Sequence, residues 1–217
     1  MMKTRPILFS TPMVQALLAN QKTQTRRILK CVLEWSNVGW LMDAMNSNVH
    51  ENLCPYGNVG DILYVRETFA KFSWGYEYKA DQKEYPHPVK WTSSLFMPKD
   101  AARIFLKITD LRIERLQDIT EEDAQAEGVE RWIDTRLRSK PTRYKVYCDP
   151  DSPHDPALYS SAAYDSFQSL WYKINGQKSW DANPWVWVIT FKPRFEKCKV
   201  KGINECECTD KCNFHLY

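Results

Sequence analysis

Residues 185–191 read Trp-Val-Trp-Val-Ile-Thr-Phe, the clearest strand in the chain. β-branched and aromatic side chains fill it, and neither Gly nor Pro interrupts it. Just before it, Ala162 to Ile174 carries Tyr164, Phe167, Leu170, Trp171 and Ile174 at helical spacing, and Asn175-Gly176 stops that helix. Further upstream, residues 102–110 (AARIFLKITD is 101–110) alternate as a strand that Leu111 to Leu116 continues. Between these lies a helix start, Ile119-Thr120-Glu121-Glu122-Asp123-Ala124, with Thr120 as N-cap, an end near Glu127, and Gly128 to close it.

The N-terminal part has the same short-element rhythm. Pro6 to Phe9 reads as a first strand. Thr11 and Pro12 fit an N-cap followed by proline at the first helical position. Met13, Ala16, Leu17 and Ala19 then give a narrow apolar helix face, and Asn20 tolerates the left-handed conformation that ends a helix. The turn Gly57-Asn58-Val59-Gly60-Asp61 feeds a buried strand, Ile62 to Val65, with Asp61 capping the turn. Residues 31–58 show little pattern beyond a short element around Trp35 to Met45. Residues 70–98 read as strands joined by a long aromatic loop, and 134–160 as an insertion rich in Arg, Lys, Pro, Asp and Ser. Short connections and few helices exclude a doubly wound sheet. The expected class is α+β, a mixed, largely antiparallel, barrel-like sheet with a few short helices. It forms a single domain over 1–195, with inserted loops near 70–100 and 130–160 and a Cys- and Lys-rich tail over 196–217.

The chain has 217 residues, enough for one sizeable core. Thirty Lys and Arg against 27 Asp and Glu leave a formal charge of +3, which excludes a histone-like polycation and permits a local basic patch. A hydrophobic content of 43% with 26% charged residues is a globular balance and argues against disorder. No stretch approaches the 18 or so apolar residues of a membrane span, so no membrane association is expected. The apolar run Pro6–Phe9 is too short for a signal-peptide core, and seven cysteines, an odd number, read as reduced thiols in the cytoplasm.

Several residues could carry chemistry. Lys22, Thr25 and Arg26 put two cations and a hydroxyl just after a helix, suited to phosphate or a carbonyl oxygen; a desolvated Lys22 could also activate the Thr25 hydroxyl. The alternative is a solvated, cationic helix C-terminus that complements the dipole. Glu127, an acid at a helix C-terminus, is unfavourable with that dipole and asks for a reason: a general acid/base, a partner for a lysine, or a plain surface acid. Arg66 and Glu67 at a strand end can position a substrate or form a structural ion pair. Trp74, Tyr76 and Trp91 offer rings for base stacking. His50, His87 and His154 have no partners in sequence, and no Walker loop, G-x-G-x-x-G, G-x-S-x-G or H-E-x-x-H is present. In the tail, Cys198, Cys206, Cys208 and Cys212 with His215 could hold a structural zinc; only Cys208-x3-Cys212 has chelating spacing, and a thiol-bearing tail without metal is the other reading. The main domain calls for no cofactor.

Asn20-Gln21-Lys22-Thr23-Gln24-Thr25-Arg26 resembles the G-x-K-T-x-T-x-R signature of the ASCH-domain family, with Asn20 at the glycine and either Arg26 or Arg27 at the final arginine. Gly60-Asp61-x-Leu63-x-Val65, the acidic helix from Leu116 to Gly128 and the strand Trp185–Phe191 resemble further family segments. The long form, opening with Pro6–Ser10 and closing with Ser179–Trp185, is similar to members encoded by phages and prophages. The resemblance implies a PUA-like β-barrel related to RNA-binding modules. It also implies two kinds of activity. Small members are amidohydrolases that remove acetyl from N4-acetylcytidine; by motif position their Lys, Thr and Glu fall on Lys22, Thr25 and Glu127. Others bind RNA or act as ribonucleases.

Three functions therefore stand open. The first is recognition of RNA, single-stranded nucleic acid or a modified nucleobase, with Lys22, Arg26, Arg27 and Arg66 on phosphates, Glu67 at the same site, and Trp74 among the stacking rings. The second is hydrolysis of an N4-acetylcytidine-type nucleoside. The third is ribonuclease activity.

Overall fold

A computed structural model describes residues 2–29, 54–133, 138–139, 141–147 and 159–195. In chain order the elements are β1 (Thr4–Leu8), α1 (Thr11–Leu18), β2 (Gln24–Ile28), β3 (Ile62–Arg66), β4 (Phe69–Phe72), β5 (Gly75–Tyr78), β6 (Ile104–Arg115), α2 (Glu121–Ala126), β7 (Arg131–Ile133), β8 (Thr142–Lys145), β9 (Tyr159–Ser160), α3 (Ala163–Asn175), α4 (Gln177–Asp181) and β10 (Trp185–Phe195). Short 3-10 turns link several of them. The class is α+β with mixed sheets and few helices.

The spine is the antiparallel pair β6–β10, matched from Trp185 opposite Arg115 to Phe195 opposite Ile104. The five-stranded sheet runs β1-β3-β6-β10-β2, with β1 and β3 parallel and the other neighbours antiparallel. Val186, Trp187, Val188 and Ile189 are all buried, so β10 is covered on both faces. That explains why its sequence runs apolar without alternating. Phe9, Val14 and Leu17 join the core from the N-terminal segment, and Phe167, Leu170, Trp171 and Trp180 join it from α3 and α4. A register shift between Thr190 and Phe191 breaks the β6–β10 ladder. On its other side β10 extends its pairing with β2 by one residue, the Phe191 N–H donating to the Thr23 carbonyl at 2.9 Å.

Several local readings hold. Thr120 caps α2 by accepting from the Asp123 N–H, Asn20 has φ +54 after α1, and Asp61 accepts from the Asn58 and Lys3 N–H groups. Others change. Ser10, not Thr11, is the N-cap of α1, and proline falls within its first turn. The strand expected over 102–110 and its continuation through 116 are β6, with bounds drawn in to Ile104–Arg115 and the β6–β10 pairing running through both parts. Asn175-Gly176 ends α3 but opens directly into α4. The expected loop insertion over 130–160 contains a small antiparallel sheet, β7-β8-β9, which Ser166 of α3 meets by donating to the Lys145 carbonyl. The expected element around Trp35–Met45 and the tail from 196 lie outside the described residues. No helix among the described residues is long and apolar enough to cross a membrane.

Gly128 ends α2 at φ +82, where a Cβ would lie 2.7 Å from the Lys22 Cβ and 3.0 Å from the Ala16 Cβ. Both the backbone conformation and the space require glycine. Gly128→Ala is expected to lower stability by about 2 kcal/mol or more. A urea denaturation midpoint equal to the wild type would contradict this.

Candidate functional site

The turn between α1 and β2 is pinned from three sides. The Gln21 and Lys22 N–H groups both donate to the Ala16 carbonyl, at 2.8 and 3.2 Å. The Thr23 N–H donates to the Ala126 carbonyl at 2.8 Å, and its carbonyl accepts from Phe191. Lys22 and Glu127 form an isolated antiparallel bridge. The start of β2 is thus stitched to the end of α2 on one side and to β10 on the other.

This placement buries the Lys22 side chain, whose residue is 1% exposed. Its Nζ donates to Glu127 Oε2 at 2.8 Å and to the Glu127 main-chain carbonyl at 2.6 Å. The second bond satisfies a carbonyl that the helix end leaves open. The cation also offsets the unfavourable meeting of an acid with the helix C-terminus. Burial pushes the Lys22 amine below the ordinary lysine value of 10.5; Glu127 opposes that shift, and the charges of Arg27 and Arg26 add to it. The Phe9 ring lies beneath the amine, 5.5 Å from Nζ to the ring centre.

Strand alternation sends Arg26 and Arg27 to opposite faces of β2. Arg26 goes beneath α2. Its Nη2 pairs with Glu114 and with Asp123 (2.9 Å), and its Nη1 meets Gln24 Oε1 (3.1 Å) and Glu127 Oε1 (3.4 Å). Arg112 shares two of these carboxylates, through Nε to Glu114 (3.0 Å) and Nη2 to Asp123 (2.6 Å). The Phe167 ring closes over the Arg26 guanidinium at 5.8 Å. Three cations, Lys22, Arg26 and Arg112, thus face three carboxylates, Glu114, Asp123 and Glu127. Burial works to raise the Asp123 carboxyl, but the hydrogen bond and charge of Arg26, with the charge of Arg112, outweigh it and hold it below the usual range.

Arg27 lies on the other face with Thr25. Its Nη2 donates to the Leu8 carbonyl at 2.7 Å, and its guanidinium sits 5.4 Å from the Phe9 ring centre. Its buried Nε has no hydrogen-bond partner among the described residues. Thr25 pairs with Ile189 in the sheet and is 4% exposed. Among the described residues its hydroxyl makes no hydrogen bond to Lys22. Lys22 and Glu127 are therefore in contact, Thr25 and Arg27 share the Phe9 face, and Arg26 is enclosed by carboxylates.

The remaining candidates sit elsewhere. Arg66 donates to the Leu95 carbonyl and, at 2.9 Å, to the Met97 carbonyl, which holds the turn carrying Phe96. Glu67 is buried and does not pair with Arg66; Arg103 clasps it with two hydrogen bonds, at 2.9 and 3.0 Å, and also reaches Asp81. Burial raises the Glu67 carboxyl, with Arg103 opposing. Trp74 is at the tip of the β4–β5 hairpin, 70% exposed. Cys198, Cys206, Cys208, Cys212 and His215 fall outside the described residues. Among the described residues no group of three or more His, Cys, Asp or Glu is arranged to hold a metal ion.

Asp123, Glu114 and Arg112 are site residues that the sequence reading passed over. One signal was there: Asp110, Arg112 and Glu114 alternate along β6 and therefore share a face. A comparison with protein-family models finds no match, and neither do comparisons with curated proteins and with solved structures.

Arg26→Met would leave Glu114 and Asp123 to Arg112 and Glu127 to Lys22, and is expected to cost about 1–3 kcal/mol for the lost charged hydrogen bonds. Asp123 contributes stability that is full above the ordinary aspartate value of 3.8 and is lost as pH falls through its depressed value. Arg26→Met should flatten that acid loss. Urea midpoints measured from neutral to acidic pH test both; a midpoint unchanged at neutral pH would contradict the first.

Proposed function

We propose that the chain is an ASCH-type amidohydrolase with a PUA-like β-barrel that deacetylates an N4-acetylcytidine-type nucleoside. The observation that carries this reading is the buried Lys22 amine, held 2.8 Å from Glu127 and three residues before Thr25 at the start of one strand. A lysine kept only to bind phosphate belongs at the surface, fully charged. A desolvated lysine flanked by two arginines is easier to deprotonate and suits a base.

In this mechanism neutral Lys22 Nζ takes the proton from Thr25 Oγ1 as that oxygen attacks the amide carbonyl. The new C–O bond and the breaking C–N bond leave an acetyl ester on Thr25. Lys22 returns the proton to the departing cytosine N4. Water then attacks the ester, gives its proton to Lys22, and releases acetate while the Thr25 hydroxyl is restored. Glu127 holds the amine before substrate arrives and steadies its charge once it is protonated. Lys22 must swing from Glu127 toward Thr25 when substrate binds. Arg27, on the Thr25 face with an unpaired Nε, is placed to meet the developing negative charge.

A second reading is recognition of RNA or single-stranded nucleic acid. The exposed Trp74 favours it. The cations first considered for phosphate contribute less, since Lys22, Arg26 and Arg66 are all engaged with internal oxygens.

Purified protein incubated with N4-acetylcytidine should yield cytidine and acetate. Thr25→Ala and Lys22→Ala should each lose at least about a hundredfold in turnover. Activity should fall as pH drops through the depressed value of the Lys22 amine, because protonation removes the base. Full activity in Thr25→Ala, read by chromatography, would reject the mechanism.

A further inference from the structure

The β4–β5 hairpin has two unlike faces. One is a small core, where Phe69, Met97 and Ala101 pack with Tyr76 and Tyr78. The other carries an ordered run of rings. Trp74 lies parallel to Phe72, 4.7 Å between centres and 13° between planes. Phe72 lies nearly parallel to Tyr85, at 6.2 Å and 12°, and Trp91 meets Tyr85 edge-on at 6.0 Å. The run ends in solvent: one face of the Trp74 indole rests on Phe72, and the residue is 70% exposed.

The run is held in place by polar contacts. Phe72 and Glu77 share the outer face by register. The Glu77 carboxylate accepts from Lys83 Nζ at 2.8 Å and from the Tyr85 hydroxyl at 3.2 Å. Paired backbone bonds between Phe69 and Thr92, at 3.2 and 2.7 Å, fasten the Trp91 segment to the hairpin. A lone surface tryptophan needs no such bracing, whereas a rigid aromatic face is what a flat ligand requires, since little entropy is lost on stacking.

We propose that this hairpin is a stacking site for an unpaired base of single-stranded nucleic acid, with Trp74 as its outer plane. Lys83 pairs with Glu77 while its side chain stays 53% exposed, Glu84 is exposed beside it, and Lys90 is exposed beside Trp91. The face therefore presents rings to a base, with Lys90 within the same segment for a phosphate. A duplex hides its base faces and does not fit. This site involves none of Lys22, Thr25 and Glu127, so it stands or falls apart from the hydrolase reading.

The test is fluorescence anisotropy with a fluorescein-labelled oligouridylate of about 12 nucleotides, within the range of single-strand site sizes, at about 50 mM salt. The wild type should bind it, and a labelled RNA duplex much more weakly. Trp74→Ala should weaken binding about tenfold or more, as expected for losing one stacked base. Trp74→Phe should keep most of the affinity, and unchanged melting temperatures would show that both variants fold. Thr25→Ala should bind like the wild type whether or not the chain turns over N4-acetylcytidine. No binding by the wild type, equal binding of the duplex, or equal binding by Trp74→Ala would each overturn the proposal; in the first case a protein segment becomes the better occupant.

Discussion

An ammonium group in a residue only 1% exposed must find its partners inside the protein, and Lys22 finds both on Glu127. Leaving either charge unpaired there would cost several kcal/mol, roughly, so the contact constrains everything attached to it. It fixes the end of α2 against the start of β2. It demands glycine at 128, because no Cβ fits beside the lysine stem. It also sets the phase of β2, and with it which arginine goes to which side.

That phase divides the strand's labour. Arg26 turns under α2 and α3, where Glu114, Asp123, Glu127 and Gln24 engage both of its terminal nitrogens, while its buried Nε has no hydrogen-bond partner among the described residues. Such an enclosed network adds little net stability compared with apolar packing, but it permits one arrangement of β2, β6 and α2. Arg27 and Thr25 turn to the Phe9 side, where Arg27 keeps an unpaired donor. Glu127 spans the two functions: one carboxylate oxygen is on the structural arginine and the other is on the lysine.

Much of the fold was legible from local pattern. β10, β3 and α3 stood out because apolar periodicity is a local property, and Thr120, Asn20 and Gly128 announced helix ends through their own backbone chemistry. β2 was not legible as a strand. Gln24-Thr25-Arg26-Arg27 has no apolar residue, yet its first three positions are buried. The burial of Arg26 rests on carboxylates about a hundred residues away, which no local window contains. The motif resemblance pointed to Lys22, Thr25 and Glu127 without showing that two of them touch. The strands β7 to β9 were hidden because they are short and, among the described residues, pair with one another while Ser166 of α3 bonds to the Lys145 carbonyl. The two roles of Arg26 and Arg27 were undecidable in sequence, since one residue of register exchanges them.

Burial and its neighbouring arginines make the Lys22 amine easier to deprotonate despite the Glu127 carboxylate beside it. Titration of the Lys22 side chain by NMR, assigned through loss of its signal in Lys22→Ala, measures this directly. A midpoint below the ordinary lysine value of 10.5 is expected. A midpoint at or above that value would contradict the account and leave Lys22 and Glu127 as a structural ion pair.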